Sequence, residues 1–243
     1  MRDLAVRTFT SASPVDAPPV LLVHGFCSDG TTDWVDTGIA EALTAAGRTV
    51  VVPDLPGHGR SPAPTTPAEA TAPAIATDLV AALDRAGISS FDAAGYSLGS
   101  RIVWELPAAA PGRVERTVLG GLSPVEPFSA VDVEALHAAV RDGAEPADPF
   151  TGMIAGMIGN FGDRAPGLAL CVEGLRSTPF SGGAWKAETL PVFVVGDNDE
   201  LTRGISGLAE EIGKAELVTV PGAHHEVLGG ARFRDAVVHA LSR

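Results

Sequence analysis

Three short apolar runs, each closed by a loop of glycine, proline or acidic residues, constrain this chain more than any other feature. Residues 20–23, 49–52 and 190–195 are almost uninterrupted apolar segments rich in valine, and 114–119 reads as a further strand. Such runs are the signature of strands buried on both faces, not of strands with one wet face. Helical spacing fills the intervals. Trp34, Ile39 and Leu43 predict a helix over residues 34–46, with Gly47 as its stop. Ile75, Leu79 and Leu83 recur four apart in an alanine-rich helix expected over residues 67–86. Further helices are expected over residues 98–110, 201–212 and at the carboxyl end. Residues 4–10 read as an edge strand and 215–220 as the last strand. Strand and helix in alternation imply a mostly parallel sheet with helices on both faces.

The alternation lapses once. Residues 124–188 show no strand pattern and hold glycine, proline, aromatics and both internal methionines, Met153 and Met157. The expected organisation is one core, residues 1–123 and 189–243, with 124–188 as a small helical cap inserted over the carboxyl ends of the strands. Open α/β sheets bind ligands at that end. A length of 243 residues suits one domain with an insertion.

Composition narrows the class. Hydrophobic residues are 45% and charged residues 19% of the chain, enough apolar material for a core and too little charge for a disordered chain. A net charge of -13 argues against nucleic-acid or anionic-membrane partners, which need a basic surface. Cys27 and Cys171 form no C-x-x-C and are expected as free thiols in a reducing compartment. No apolar leader opens the sequence and no run reaches membrane-spanning length, so a cytoplasmic protein is expected.

Gly95-Tyr96-Ser97-Leu98-Gly99 sits where a predicted strand meets a predicted helix. A serine on such a turn is lifted clear of the sheet, and the helix start aims free N–H groups at the same point. In a chain with 28 glycines, G-x-S-x-G arises by accident in roughly one case in five, so the motif needs partners. A serine hydroxyl requires a neighbouring base, and the base requires a group to orient it. Of six histidines, His137 and His239 fall in predicted helices and read as surface or packing residues. His24 and His58 precede the serine in glycine-containing loops. His224 and His225 follow the last strand, where a loop can return over the sheet; chemistry alone does not choose between them. Asp197, Asp199 and Glu200 follow the apolar strand 190–195 and complete the order serine, acid, histidine.

With these residues in place the chain resembles the α/β-hydrolase fold family over nearly its whole length except the insertion. His24-Gly25 resembles the family's oxyanion-loop motif, residues 54–61 (DLPGHGRS) its D-x-x-G-x-G-x-S loop, and GYSLG its nucleophile elbow. Gly196-Asp197-Asn198-Asp199 matches G-x-x-D, which implies Asp199 as the acid. Residues 221–227 (PGAHHEV) resemble P-G-x-x-H, which implies His225 as the base, although His224 stands where the family commonly has glycine. The resemblance further implies backbone N–H groups of Phe26 and Leu98 as the oxyanion hole, and no metal or organic cofactor. It implies a serine hydrolase acting on a small-molecule carboxylic ester through an acyl-enzyme. Epoxide hydrolases and haloalkane dehalogenases of the family carry aspartate at the elbow, which sets their chemistry apart.

Around that centre the sequence suggests a pocket of Phe26, Arg101, Met153, Met157 and Phe161. Met153, Met157 and Phe161 fall four apart, a spacing that stacks them on one helical face, widened by Ile154 and Ile158. Packing onto the core is the plainer account of that stripe; an adaptable apolar lid is the functional one. Arg101 lies one helical turn past Ser97 and resembles the S-x-G-G-R arrangement of the menaquinone-pathway enzyme that eliminates pyruvate, with Ser100 in place of the second glycine. A lyase or C–C bond hydrolase using the same triad is therefore a second reading, and a non-enzymatic ligand receptor on this fold a third.

Overall fold

The computed structural model describes residues 2–242. In chain order, β1 (Val6–Phe9), β2 (Val20–Val23), α1 (Ile39–Ala45), β3 (Val50–Pro53), α2 (Ala72–Arg85) and β4 (Phe91–Tyr96) lead to the elbow. Then come α3 (Leu98–Val103), α4 (Leu106–Ala109) and β5 (Val114–Gly120). The helices α5 (Val133–Asp142), α6 (Pro149–Gly159) and α7 (Ala165–Ser177) separate β5 from β6 (Val192–Gly196). The chain closes with α8 (Ile205–Glu211), β7 (Leu217–Val220), the single helical turn α9 (His224–Val227) and α10 (Ala231–Leu241). The sheet order is β1-β3-β2-β4-β5-β6-β7, with β1 antiparallel to β3 and every other pairing parallel.

The period-two geometry of a strand splits the apolar runs between two cores. Leu21, Val23, Val51, Ala93, Leu119, Phe193 and Val195 face one side, against Ile75, Leu79 and Leu83 of α2 and Ile102 of α3. Val20, Leu22, Val50, Val52, Ala94, Val118 and Val194 face the other, against Ile39 and Leu43 of α1 and Phe233 and Val237 of α10. All residues of β2, β3 and β4 are buried, which explains why these strands read as apolar runs without alternation.

Four helices are shorter or more broken than periodicity predicts; the one expected over residues 201–212 is a turn at Glu200–Thr202 followed by α8, which starts after Gly204 at φ 91°. The stretch from Trp34 divides at Gly38, whose φ of 75° is left-handed, into a wide turn at Thr31–Val35 and α1. Residues 67–86 divide at Thr71, which is extended and caps α2 by accepting from the Ala74 N–H at 3.3 Å. The elbow helix breaks before α4, where Pro107 occupies the first turn. In each case a local cap or proline overrides an unbroken apolar stripe. The insertion is helical: α5 packs on both α6 and α7, and α7 packs back onto the turn Pro67–Ala70 of the core.

Candidate active site

β4 delivers Ser97 at its carboxyl end. Ser97 has φ 53° and ψ −116°, a strained conformation for a residue with a Cβ, and it precedes the first residue of α3. The turn is possible because Gly99 passes against β2: a Cβ there would lie 1.9 Å from the Val23 carbonyl oxygen. At the helix start the Leu98 N–H has no intrahelical acceptor.

The loop after β2 is held from two sides. His24 is fully buried, and its Nε2 accepts the Leu55 N–H at 2.8 Å, which places the ring proton on Nδ1, donated to the Gly25 carbonyl at 2.7 Å. Burial pushes its pKa down. Asp33 accepts the Gly25 N–H at 2.7 Å and the Ser28 hydroxyl. His58 packs edge-on against His24 and Phe26, and burial lowers its pKa to about 3, so this second ring is neutral as well.

Beyond β6, Asp199 is 7% exposed; one carboxylate oxygen accepts the Leu201 N–H at 3.0 Å and the other meets His224 Nδ1 at 2.8 Å. His224 Nε2 lies 2.9 Å from Ser97 Oγ. A carboxylate can only accept, so Nδ1 carries the proton and the Nε2 lone pair faces the serine hydroxyl. The histidine brought into this line is His224, not His225. Residues 224–227 form a helical turn, in which neighbours point about 100° apart. His224 shares the face of Val227, three residues on and 1% exposed, and so turns inward. Its carbonyl accepts the Tyr96 hydroxyl, and its ring packs 5.3 Å from that of Tyr96. Gly121, at φ 60°, leaves room for it: a Cβ there would lie 3.0 Å from His224 Cε1. His225 is exposed at the cavity edge. Asp197 is exposed and accepts the Gly222 N–H at 2.9 Å, a turn-forming contact.

Ser97 and His224 open into a cavity of about 430 Å³ lined mainly by apolar side chains, among them Phe26, Leu122, Phe128, Phe150, Met153 and Met157. Met153 and Met157 are 52% and 40% exposed, whereas Ile158 of the same helix is buried in the core and Ile154, also buried, meets both the core and the cavity. The apolar stripe of α6 thus divides between packing and cavity. Phe161 departs from expectation. α6 ends at Gly159, so Phe161 falls beyond the helix, packs against the core and does not line the cavity. Arg101 lines the cavity but is 7% exposed and engaged: it bonds Glu105 and the Thr178 carbonyl (3.1 Å) and lies over the Phe180 ring. Glu126, 4% exposed, also lines the cavity; burial pushes its carboxyl pKa up, against the opposing pull of the Phe128 N–H, Arg101 and the Phe180 N–H.

Asp33, Tyr96 and Glu126 carry no motif that marks them in the sequence. Cys27 and Cys171 are unpaired, and burial raises both thiols to about 12. Among the described residues no cluster of histidine, cysteine or acidic side chains is placed to hold a metal ion, and no helix is long and apolar enough to cross a membrane.

Residues 18–144, just over half of the chain, match the family model of the α/β-hydrolase fold. The chain belongs to the α/β-hydrolase fold family. Curated relatives include epoxide hydrolase 3 of Siraitia grosvenorii, 35% identical over 107 residues (44% of this chain, 33% of the relative). Esterase YbfF of Escherichia coli is 29% identical over 123 residues (51% of this chain, 46% of the relative). These matches span less than half of the relatives' own length. A solved esterase from Thermogutta terrifontis superimposes with a TM-score of 0.77 at 22% identity, covering 97% of this chain and 92% of that one. This α/β-hydrolase therefore shares its fold with an esterase over nearly its whole length, and its sequence locally with enzymes of more than one chemistry.

Proposed function

We propose that this α/β-hydrolase cleaves a small carboxylic ester through an acyl-enzyme formed on Ser97. The observation that carries the reading is the line Asp199–His224–Ser97, with contacts of 2.8 and 2.9 Å and a vacant lone pair aimed at the hydroxyl. In this reading Ser97 attacks the carbonyl and His224 takes its proton. The negative oxygen is held by the Leu98 and Phe26 N–H groups, whose loop is fixed by Asp33 and His24. His224 then protonates the leaving alcohol, and on the return step takes a proton from water to release the acid. Residues 124–188 act as the cap that supplies the cavity's apolar wall. The elbow serine supports ester chemistry over that named for the epoxide-hydrolase relative, because the aspartate which the family's epoxide hydrolases carry at that position is absent. The lyase or C–C hydrolase alternative needs Arg101 as a carboxylate binder; here its guanidinium already faces Glu105 and Glu126, which weakens that reading.

A panel of p-nitrophenyl esters of graded acyl length tests the proposal, together with mass spectrometry after treatment with an organophosphonate. Turnover with a single adduct on Ser97 is expected. An adduct elsewhere with Ser97 unmodified would overturn the nucleophile assignment.

A further inference from the structure

The cavity wall contains a polar pair that the proposed chemistry leaves unused. Glu126 Oε1 accepts the Phe128 N–H at 3.2 Å and the Phe180 N–H also pulls on the carboxylate, but Oε2 makes no well-formed hydrogen bond. Arg101 spends its terminal nitrogens on Glu105 and Thr178, and its Nε–H is also without a hydrogen-bond partner. The two atoms form an ion pair at 3.9 Å with no hydrogen bond between them, and both side chains are more than nine-tenths buried and belong to residues that line the cavity.

That separation is too long for a direct hydrogen bond but suits one bridging atom. An oxygen about 2.8 Å from each would sit at an angle of roughly 90° between them. A buried donor or acceptor left unsatisfied costs about 1–3 kcal/mol, so the pair favours a group that both donates and accepts. A hydroxyl does both. A carboxylate brings only lone pairs and a second negative charge against Glu126, and an alkyl group satisfies neither atom.

We propose that Glu126 and Arg101 form a hydroxyl-recognition subsite, so that the preferred substrate is a neutral ester bearing a hydroxyl group that reaches this pair. The substitution pattern is the new element; the cleavage itself rests on the serine-hydrolase reading above. The substrate hydroxyl donates to Glu126 Oε2 and accepts from Arg101 Nε–H, and the surrounding phenylalanine and methionine side chains hold its carbon chain.

The test compares methyl hexanoate, its 2-, 3- and 6-hydroxy derivatives and monomethyl adipate by proton release. With the unsubstituted enzyme, at least one hydroxylated ester should exceed methyl hexanoate in kcat/KM by about tenfold or more, and monomethyl adipate should fall below it by a similar factor. Glu126→Ala should bring the hydroxyl preference to within about twofold, and Glu126→Gln should relieve most of the adipate penalty. Hydroxylated esters within twofold of methyl hexanoate throughout would show that a trapped water alone satisfies the pair, and would overturn the subsite. So would a preference that survives Glu126→Ala. Failure of the hydrolase reading would look different, with no ester turned over at all. Calorimetric binding of the same esters to the Ser97→Ala protein still reads the subsite in that case: a tighter Kd for one hydroxylated ester supports it, and equal affinities contradict it.

Discussion

The two ends of β4 use similar chemistry for opposite purposes. At its start Asp92 is fully buried against Arg48, 2.5 Å away, and Arg48 also donates to the carbonyls of Pro18 and Leu241. Asp92 accepts the Arg116 N–H at 2.9 Å as well. These contacts tie the approach to β2, β4, β5 and the end of α10 together, each of them made to a protein group. At the other end a second buried aspartate, Asp199, holds His224, which passes its free lone pair to Ser97 at the floor of a cavity. A buried charge turned entirely toward protein groups stabilises a fold. A buried charge that orients a group toward open space prepares a reaction.

If that contrast is sound, substitutions at the two ends should separate activity from stability. The largest effect expected is on turnover at the open end. Ser97→Ala and Asp199→Asn should each lower kcat by about 10⁴-fold or more, with denaturant midpoints close to those of the parent protein. Equal losses of stability and activity at Asp199 would erase the contrast. At the closed end, Arg48→Ala strands Asp92 and should cost about 3–5 kcal/mol in urea unfolding. The kcat of the folded fraction should stay within about threefold.

A smaller effect separates the loop histidines from the reacting one. His58 has a folded pKa near 3, below the ordinary value of 6.5, so the unfolded chain binds its proton first as pH falls. Its contribution to stability is intact above the unfolded value and is lost progressively between about pH 6.5 and 3. The stability difference between the parent protein and His58→Asn should therefore shrink on acidification by up to about 1.4 kcal/mol per pH unit. A difference that stays constant over that range would mean that the buried ring is not the cause. The smallest effect belongs to the cavity mouth. Met153→Ala and Met157→Ala should raise KM for long-chain esters a few-fold and leave acetate esters almost unchanged, because these half-exposed apolar side chains line the cavity.

The centre of the sheet was legible in the sequence because β2, β3 and β6, buried on nearly every residue, leave plain apolar runs. The elbow was legible because only glycine fits against Val23 two residues after Ser97. Helix breaks at Gly38 and Thr71 were not, since the apolar stripe runs on across the cap that interrupts it. The histidine pair shows the limit most clearly. His224 precedes Val227 by three residues and His225 precedes Leu228 by three, so helical periodicity treats them alike. The choice is made by Tyr96 and by the space that Gly121 leaves, contacts that join residues far apart in the chain. Glu126 was silent for the same reason. Its burial beside Arg101 depends on how the insertion returns to the core.

The central claim is that His224 activates Ser97. The most direct measurement is the rate at which a p-nitrophenyl phosphonate modifies Ser97, followed by nitrophenol release and by mass spectrometry of the adduct, in the parent protein, His224→Ala and His225→Ala. This rate reports the serine's nucleophilicity whatever the natural substrate. The account predicts that His224→Ala slows modification by about 10³-fold or more and that His225→Ala changes it by less than about tenfold. Slow modification in His225→Ala, with His224→Ala reacting at close to the parent rate, would contradict it.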